Sequence, residues 1–195
     1  MANLTFNGTR IQYGGETLNF PEPVAGFDDW FLPSLDELDA MYTNLHVEAV
    51  GDFSELGNYW SSSESSSIFA WKESFSNGSQ TNNTTKAGST QRVRAARSFT
   101  AGVAAYALRD TGPAGGLIFY VDGGTTYYEA APTDQTVGND AYWCDNDLGA
   151  TVLGASGTAI GTGQSNTTTM VDYPGYGDGP TILAATLCND LVITP

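Results

Sequence analysis

The chain has 195 residues, of which 22 are acidic and 7 basic, for a formal net charge of -15. Hydrophobic residues at 41% and aromatics at 12% supply a core for one compact domain, or one domain with a small appendage, and exclude a disordered chain. The negative field repels phosphate backbones, so nucleic acid is excluded as a partner; no apolar run approaches the ~20 residues of a membrane span, so insertion into a bilayer is excluded too.

Charged residues make up only 15% of the chain, and its 23 glycines, set among many Ser, Thr and Asn, point to turns and short strands. The opening Met-Ala-Asn-Leu-Thr-Phe has neither the basic start nor the apolar stretch of a secretory leader. A cytosolic protein is therefore expected, or one that leaves the cell by lysis after assembly into a virus particle.

In chain order, Leu4-Thr5-Phe6 and Arg10-Ile11-Gln12-Tyr13 alternate apolar and polar about Asn7-Gly8, the pattern of a β-hairpin. Gly14-Gly15 breaks the run, and Pro21 and Pro23 close the section as a linker, giving an arm over residues 1–25. Pro33-Ser34-Leu35-Asp36-Glu37 opens a helix with a capping box, and Leu35, Leu38, Met41, Tyr42 and Leu45 make its apolar face. That helix should span Ser34 to Leu45 and serve packing. Tyr59-Trp60, Ile68 to Trp71 and Phe75 read as strand pieces, with Trp71 and Phe75 in the core; Gln80 to Thr90 is small and polar. Arg92 to Phe99 alternates like a half-buried strand. Leu117 to Val121 and Tyr127 to Ala131 form a hairpin about Asp122-Gly123-Gly124. Residues 145–180 read as loop with a short helix near Asn166 to Val171, and a last helix is expected from Thr181 to Val192.

Several segments resemble a known family. Trp30-Phe31-Leu32-Pro33-Ser34, Tyr59-Trp60-Ser61-Ser62-Ser63-Glu64, Phe75-Ser76-Asn77-Gly78 and Arg92 to Phe99 run in the order found in lectin-like domains at the C-termini of bacterial collagen-like adhesins and in major paralogous domain proteins. Gly112 to Val121, Glu129-Ala130-Ala131-Pro132, Gly157 to Thr168 and Ala184 to Asp190 resemble the same family, but there these segments come first. The chain thus resembles a circularly permuted member, or a pair of part-domains that complete each other by swapping. The resemblance implies an α+β, C-type-lectin-like fold of the formylglycine-generating-enzyme branch, which includes retroelement-diversified phage variable proteins. It would have two helices and short twisted antiparallel strands over residues 26–195, in the order 26–99 then 104–195, after the N-terminal hairpin.

What the resemblance implies for function is recognition without catalysis. The segment between the Tyr-Trp-Ser-Ser-Ser motif and the Arg-Val-Arg strand presents side chains in that family, here Asn58, Tyr59, Ser65, Ser66, Ser67, Phe69, Lys72, Glu73, Gln80, Asn82 and Asn83. Aromatic faces beside hydroxyl and amide groups suit a host surface glycan or protein. The expected setting is a phage virion, as a receptor-binding tip or exposed capsid decoration, in a homo-oligomer whose hairpin docks to neighbouring subunits. The alternatives are a purely structural cement protein of the particle, or a bacterial surface adhesin.

No catalytic constellation stands out. Asp36-Glu37 are explained by helix capping and Asp28-Asp29 by a turn, and His46, the single histidine, lacks a nucleophile and reads as a surface or capping group. Cys144 and Cys188 suit either a disulfide or two buried thiols, and not a zinc pair. No cofactor is expected, although Asp140, Asp145, Asn146 and Asp147 make an oxygen-rich loop of the kind calcium takes; a solvated loop is the plainer reading. Arg92, Arg94 and Arg97 are expected to pair with local carboxylates or loop carbonyls.

Overall fold

The computed structural model describes residues 26–138, 140–179 and 181–194, together with strand residues 5–6, 10–13 and 16–19 ahead of them. Those strands, β1 (Thr5–Phe6), β2 (Arg10–Tyr13) and β3 (Glu16–Asn19), form one antiparallel sheet in the order β1-β2-β3. The expected hairpin is its first pair, with Thr5 opposite Gln12 and Phe6 opposite Ile11. The run does not end at Gly14-Gly15, which lie outside the described residues, since β3 follows in the same sheet with Leu18 opposite Ile11. Leu4, the Asn7-Gly8 turn and the Pro21 and Pro23 linker lie outside the described residues.

The remainder is α+β. Helix α1 (Leu35–Met41) starts where the capping box places it: the Ser34 side chain accepts from Glu37 N, and Glu37 Oε2 accepts from Ser34 N at 2.7 Å. It runs on as a π-helical turn, Tyr42–His46, which carries Leu45 into the core. One sheet is β4 (Asn58–Glu64), β5 (Phe69–Ser74) and β6 (Ser79–Thr85), in that order, and a second is β7 (Ala96–Thr100), β9 (Thr126–Ala130) and β8 (Leu117–Asp122). Three helices, not two, are described, since α2 (Gly163–Val171) and α3 (Ala184–Asn189) follow α1.

Helix α3 is shorter than its apolar pattern, for a backbone reason. Tyr142 N donates to Ile182 O at 2.9 Å and Ala184 N to Tyr142 O at 2.9 Å, so residues 182–184 are held as a strand-like bridge. At its other end Ile193 exchanges both backbone hydrogen bonds with Phe27, at 2.8 and 3.0 Å, which brings the two ends of this body side by side.

Two hydrophobic clusters share one central layer. Trp30, Leu32, Trp60, Val93, Ala95 and Ala131 face a cluster with Trp143, Met170, Ala184 and Cys188. Their chain neighbours Phe31, Tyr59, Ala96 and Ala130 face the other, with Leu38, Met41, Leu45 and Phe119. Successive residues of extended chain point to opposite faces, so a layer covered on both sides buries every residue. This corrects the half-buried reading of Arg92 to Phe99, in which residues 93–97 are all buried.

Burying β4 on both faces is unusual for Ser61-Ser62-Ser63-Glu64, and each polar group is met. Ser61 Oγ donates to Trp71 O at 3.0 Å and Ser63 Oγ to Gly157 O at 2.7 Å, while Ser62 Oγ accepts from Asn166 Nδ2 at 3.1 Å. Glu64 accepts from Lys86 Nζ at 2.7 Å and from Leu153 N and Gly154 N, both at 2.9 Å. Four of these six partners lie 89 to 104 residues away, and together the six satisfy the buried polar groups of one strand.

Candidate functional site

The candidate contact segment is an exposed ribbon mounted on this buried strand. Strand β5 carries Phe69, Trp71 and Lys72, all half-buried, and β6 at the sheet edge carries exposed Gln80, Asn82 and Asn83. The connection from β4 to β5 adds exposed Ser65 and Ser66 and half-buried Ser67. It is a tight turn: Ser65 N and Ser66 N both donate to Phe69 O, and Ser66 Oγ accepts from Phe69 N at 3.1 Å. Six residues of β5 span about 20 Å, so Ser65 to Ser67 stand at one end of the ribbon and half-buried Asn58, opposite Ser74, at the other.

The register is broken at Trp71. Ala70 and Lys72 pair with Thr84 and Thr81 on β6 and with Glu64 and Trp60 on β4, so both neighbouring strands carry extra residues opposite Trp71. Bulges of this kind bend a sheet and re-aim side chains. Here the bend leaves Trp71 half-buried beside exposed Asn82 and Asn83, which corrects its assignment to the core; Phe75, at 1% exposure, is core. The residues of β5 gave no sign of this, because the extra residues sit on the two strands that pair with it.

Two of the expected contact residues are removed by burial. Tyr59 is fully buried; its hydroxyl donates to Asp134 Oδ2 at 2.9 Å and accepts from Ser54 N at 2.8 Å, which pins the 51–57 loop to the 134 loop. Burial first, and then the Asp134 charge, holds its hydroxyl far above the usual tyrosine range. Glu73 is also fully buried, and neither carboxylate oxygen has a hydrogen-bond partner among the described residues. Desolvation, reinforced by the neighbouring Asp39 charge, pushes its carboxyl up to about 8. Lys72 is pulled below its usual value by partial burial.

The arginines act as sequence reasoning expected. Arg94 Nε donates to Asp134 Oδ1 at 2.8 Å, and its Nη1 donates to Gly51 O at 2.7 Å and Ala131 O at 3.0 Å. Arg97 grips Asp29 with two bonds of 2.7 and 2.9 Å and reaches Glu129 at 3.1 Å, while Arg92 meets Asp134 at 3.3 Å. These cations are occupied inside the scaffold and tie its loops together. The Glu129 carboxylate also accepts from Ala114 N and Gly116 N at 3.1 and 2.8 Å. Residue 116 must be glycine, since a Cβ there would strike the Ala130 carbonyl.

Cys144 and Cys188 are free, buried thiols of the first cluster, so the disulfide alternative is set aside. Burial pushes Cys144 up to about 11 and Cys188 further, which keeps both protonated at neutral pH as packing groups. His46, in the last turn of the π-helical segment, is half-buried and packs against Phe75 at 5.2 Å and Tyr42 at 5.5 Å between ring centroids. It lines an open cavity of about 520 Å³ with Asp52, Phe53, Glu55 and Leu56. No helix among the described residues is long and apolar enough to cross a membrane. Among known proteins, no family model, curated protein or solved structure matches this chain.

Proposed function

We propose that the protein is a non-enzymatic recognition module with a C-type-lectin-like fold, which binds a host-surface glycan or protein through the β5–β6 ribbon. One observation carries this reading: half-buried Phe69 and Trp71 on β5, exposed Gln80, Asn82 and Asn83 on β6 and exposed Ser65–Ser66 lie in a sheet whose first strand, β4, is buried from Tyr59 on. A rigid base lowers the entropy lost when a ligand orders the side chains above it. Half-buried aromatics flanked by amides and hydroxyls combine a stacking face with directional hydrogen bonds, which suits sugars and exposed protein patches. The adjacency of Phe27 and Ile193 supports the permuted order, because a permutation needs ends that lie together. The setting we favour is a phage virion, in a symmetric homo-oligomer whose several weak contacts add by avidity.

Glycan arrays and pull-down with whole host cells test the reading. The intact protein binds in at least one of them, and a Trp71→Ala, Asn82→Ala, Asn83→Ala variant loses roughly tenfold or more, the scale of a small hot spot. Empty results in both assays, or unchanged binding by the variant, overturn it.

A purely structural role in a particle has one observation in its favour. Strand β6, Ser79–Thr85, is a sheet edge without a charge or a proline to block pairing. An image of the native assembly separates the readings: β6 buried against a neighbour supports cementing, and β6 facing solvent supports recognition.

A further inference from the structure

Helix α3 with its two flanks and the 133–135 loop bound an open groove of about 500 Å³. Ile182, Leu183, Leu187, Leu191 and Val192 line its α3 side. Ile182 and Val192 are 51% and 59% exposed although both are large and apolar, and Leu187 and Leu191 are half-buried. The opposite wall is fixed from within the scaffold. Asp134 is paired with Arg92 and Arg94, while Gln135 accepts from Ala95 N and donates to Thr133 O at 2.8 Å. The groove is thus preformed, apolar along one side, and of a size that receives a few large side chains.

The N-terminal chain enters the body at the rim of this groove. Phe27 exchanges backbone hydrogen bonds with Ile193, and a Cβ on Gly26 would strike Val192 Cγ1, a group of the groove wall. Ahead of Gly26, the register of β1, β2 and β3 sets Phe6, Ile11 and Leu18 opposite one another in a single cross-strand row. Residues directly opposite share one face of a sheet, so that row is apolar. Three strands of two, four and four residues make a sheet too small to hold unless its apolar face is covered. One chain therefore carries both an apolar row that needs a cover and an apolar groove that needs an occupant.

We infer that the groove seats the N-terminal sheet of a second copy of this chain, with the Phe6, Ile11 and Leu18 row laid against Ile182, Leu187 and Val192. Charge favours this part of the chain for the contact. Two acidic bodies repel each other, but residues 1–25 carry only Glu16 and Glu22 against Arg10, a formal −1 of the −15 of the whole chain. Of the acids lining the groove, Asp134 is already paired with two arginines, which leaves Asp190 at the rim. The position before a proline is restricted to extended backbone, and residues 20 and 22 both hold it, which favours a neighbour's groove over the chain's own. Reciprocal exchange of such arms closes a symmetric assembly of fixed size. This contact rests on the homo-oligomer proposed above and is separate from the ribbon and its ligand.

Cross-linking between two singly substituted full-length chains tests the contact. Gln12→Cys puts a thiol next to Ile11 in β2, and Asp190→Cys puts one at the groove rim, so the apolar residues stay in place. The native Cys144 and Cys188 are buried and do not compete. With a short bismaleimide, an equimolar mixture should give a product of two chains, several-fold above the yield from either chain alone. Ile182→Asp, at an exposed position of the Asp190→Cys chain, should cut that product roughly tenfold and lower the mass by light scattering to one chain, with an unchanged circular-dichroism spectrum. Ile11→Asp in the other chain should do the same from the arm side, and decides the matter if the first variant does not fold. A mixture without the product, or equal product from a folded variant, overturns the inference. So does cross-linking confined within a chain that carries both cysteines, which would put the arm in its own groove. Binding to host cells is read in a separate assay, so loss of the product removes this contact and leaves the ribbon untouched.

Discussion

At the scale of single residues, Glu73 concentrates an unresolved cost beneath the proposed contact surface. Its carboxyl ionises near 4.5 in an unfolded chain and near 8 in the fold, where burial and Asp39 oppose its charge. Between those values the native state holds a proton that the unfolded state has lost, so stability falls as pH rises from about 4.5 to about 8. Glu73→Gln removes that fall: the variant should match the wild type near pH 4.5 and exceed it near pH 8 by a few kcal/mol, on the order expected for a shift of this size. Urea denaturation at the two pH values measures it, and parallel pH profiles for the two proteins would show the carboxyl to be innocent. Tyr59 has the opposite character, since every bond its hydroxyl makes is inside the scaffold.

Among the elements, α1 shows how far local signals reach. Its Ser34 cap, its Glu37 return bond and its apolar face are all readable from eight consecutive residues, and the structure places them so. Glu37 does more than cap, however: Oε1 also accepts from Gly161 N at 2.8 Å, fastening the approach to α2 onto α1. Ser34→Ala should cost about 1 kcal/mol for the lost cap and its bond to Ala159 O, whereas Glu37→Ala should cost more, about 2–3 kcal/mol, because Ser34 N, which is buried, and Gly161 N both lose their acceptor. Chemical denaturation distinguishes the two, and equal losses would mean that the Gly161 contact contributes nothing. The β8–β9 hairpin is legible in the same local way, from an apolar run, a glycine turn and an aromatic return strand. Strand β6 is not, because Ser-Gln-Thr-Asn-Asn-Thr-Thr has no apolar period; its strand state comes from pairing with β5.

Over the whole molecule, the buried Lys86–Glu64 pair joins segments that are remote in sequence. Lys86 Nζ lies 2.7 Å from Glu64 Oε1, donates to Thr151 O at 2.6 Å and sits 5.1 Å from the Trp143 ring. Strand β4, the end of β6 and the 151–154 loop therefore meet at one charge. Lys86→Met should destabilise the fold by about 3–5 kcal/mol, since it leaves a buried carboxylate without its cation, and adding Glu64→Gln should recover part of that loss. A double-mutant cycle by denaturation measures both, and additive losses would show that the pair is not coupled.

By itself the sequence determined what depends on near neighbours: the capped start of α1, the two hairpin pairings, and three arginines in a chain dominated by acid, bound to find carboxylates. It also marked the segment that carries the exposed ribbon. Only the tertiary structure decided which residues of that segment face outward. Tyr59 and Glu73, opposite each other in regular register, turn inward because the layer is covered on both faces, and Trp71 turns partly out where both flanking strands carry extra residues. The same holds for Ser62 and Ser63: whether a buried polar side chain is satisfied is settled by groups that arrive from distant parts of the chain.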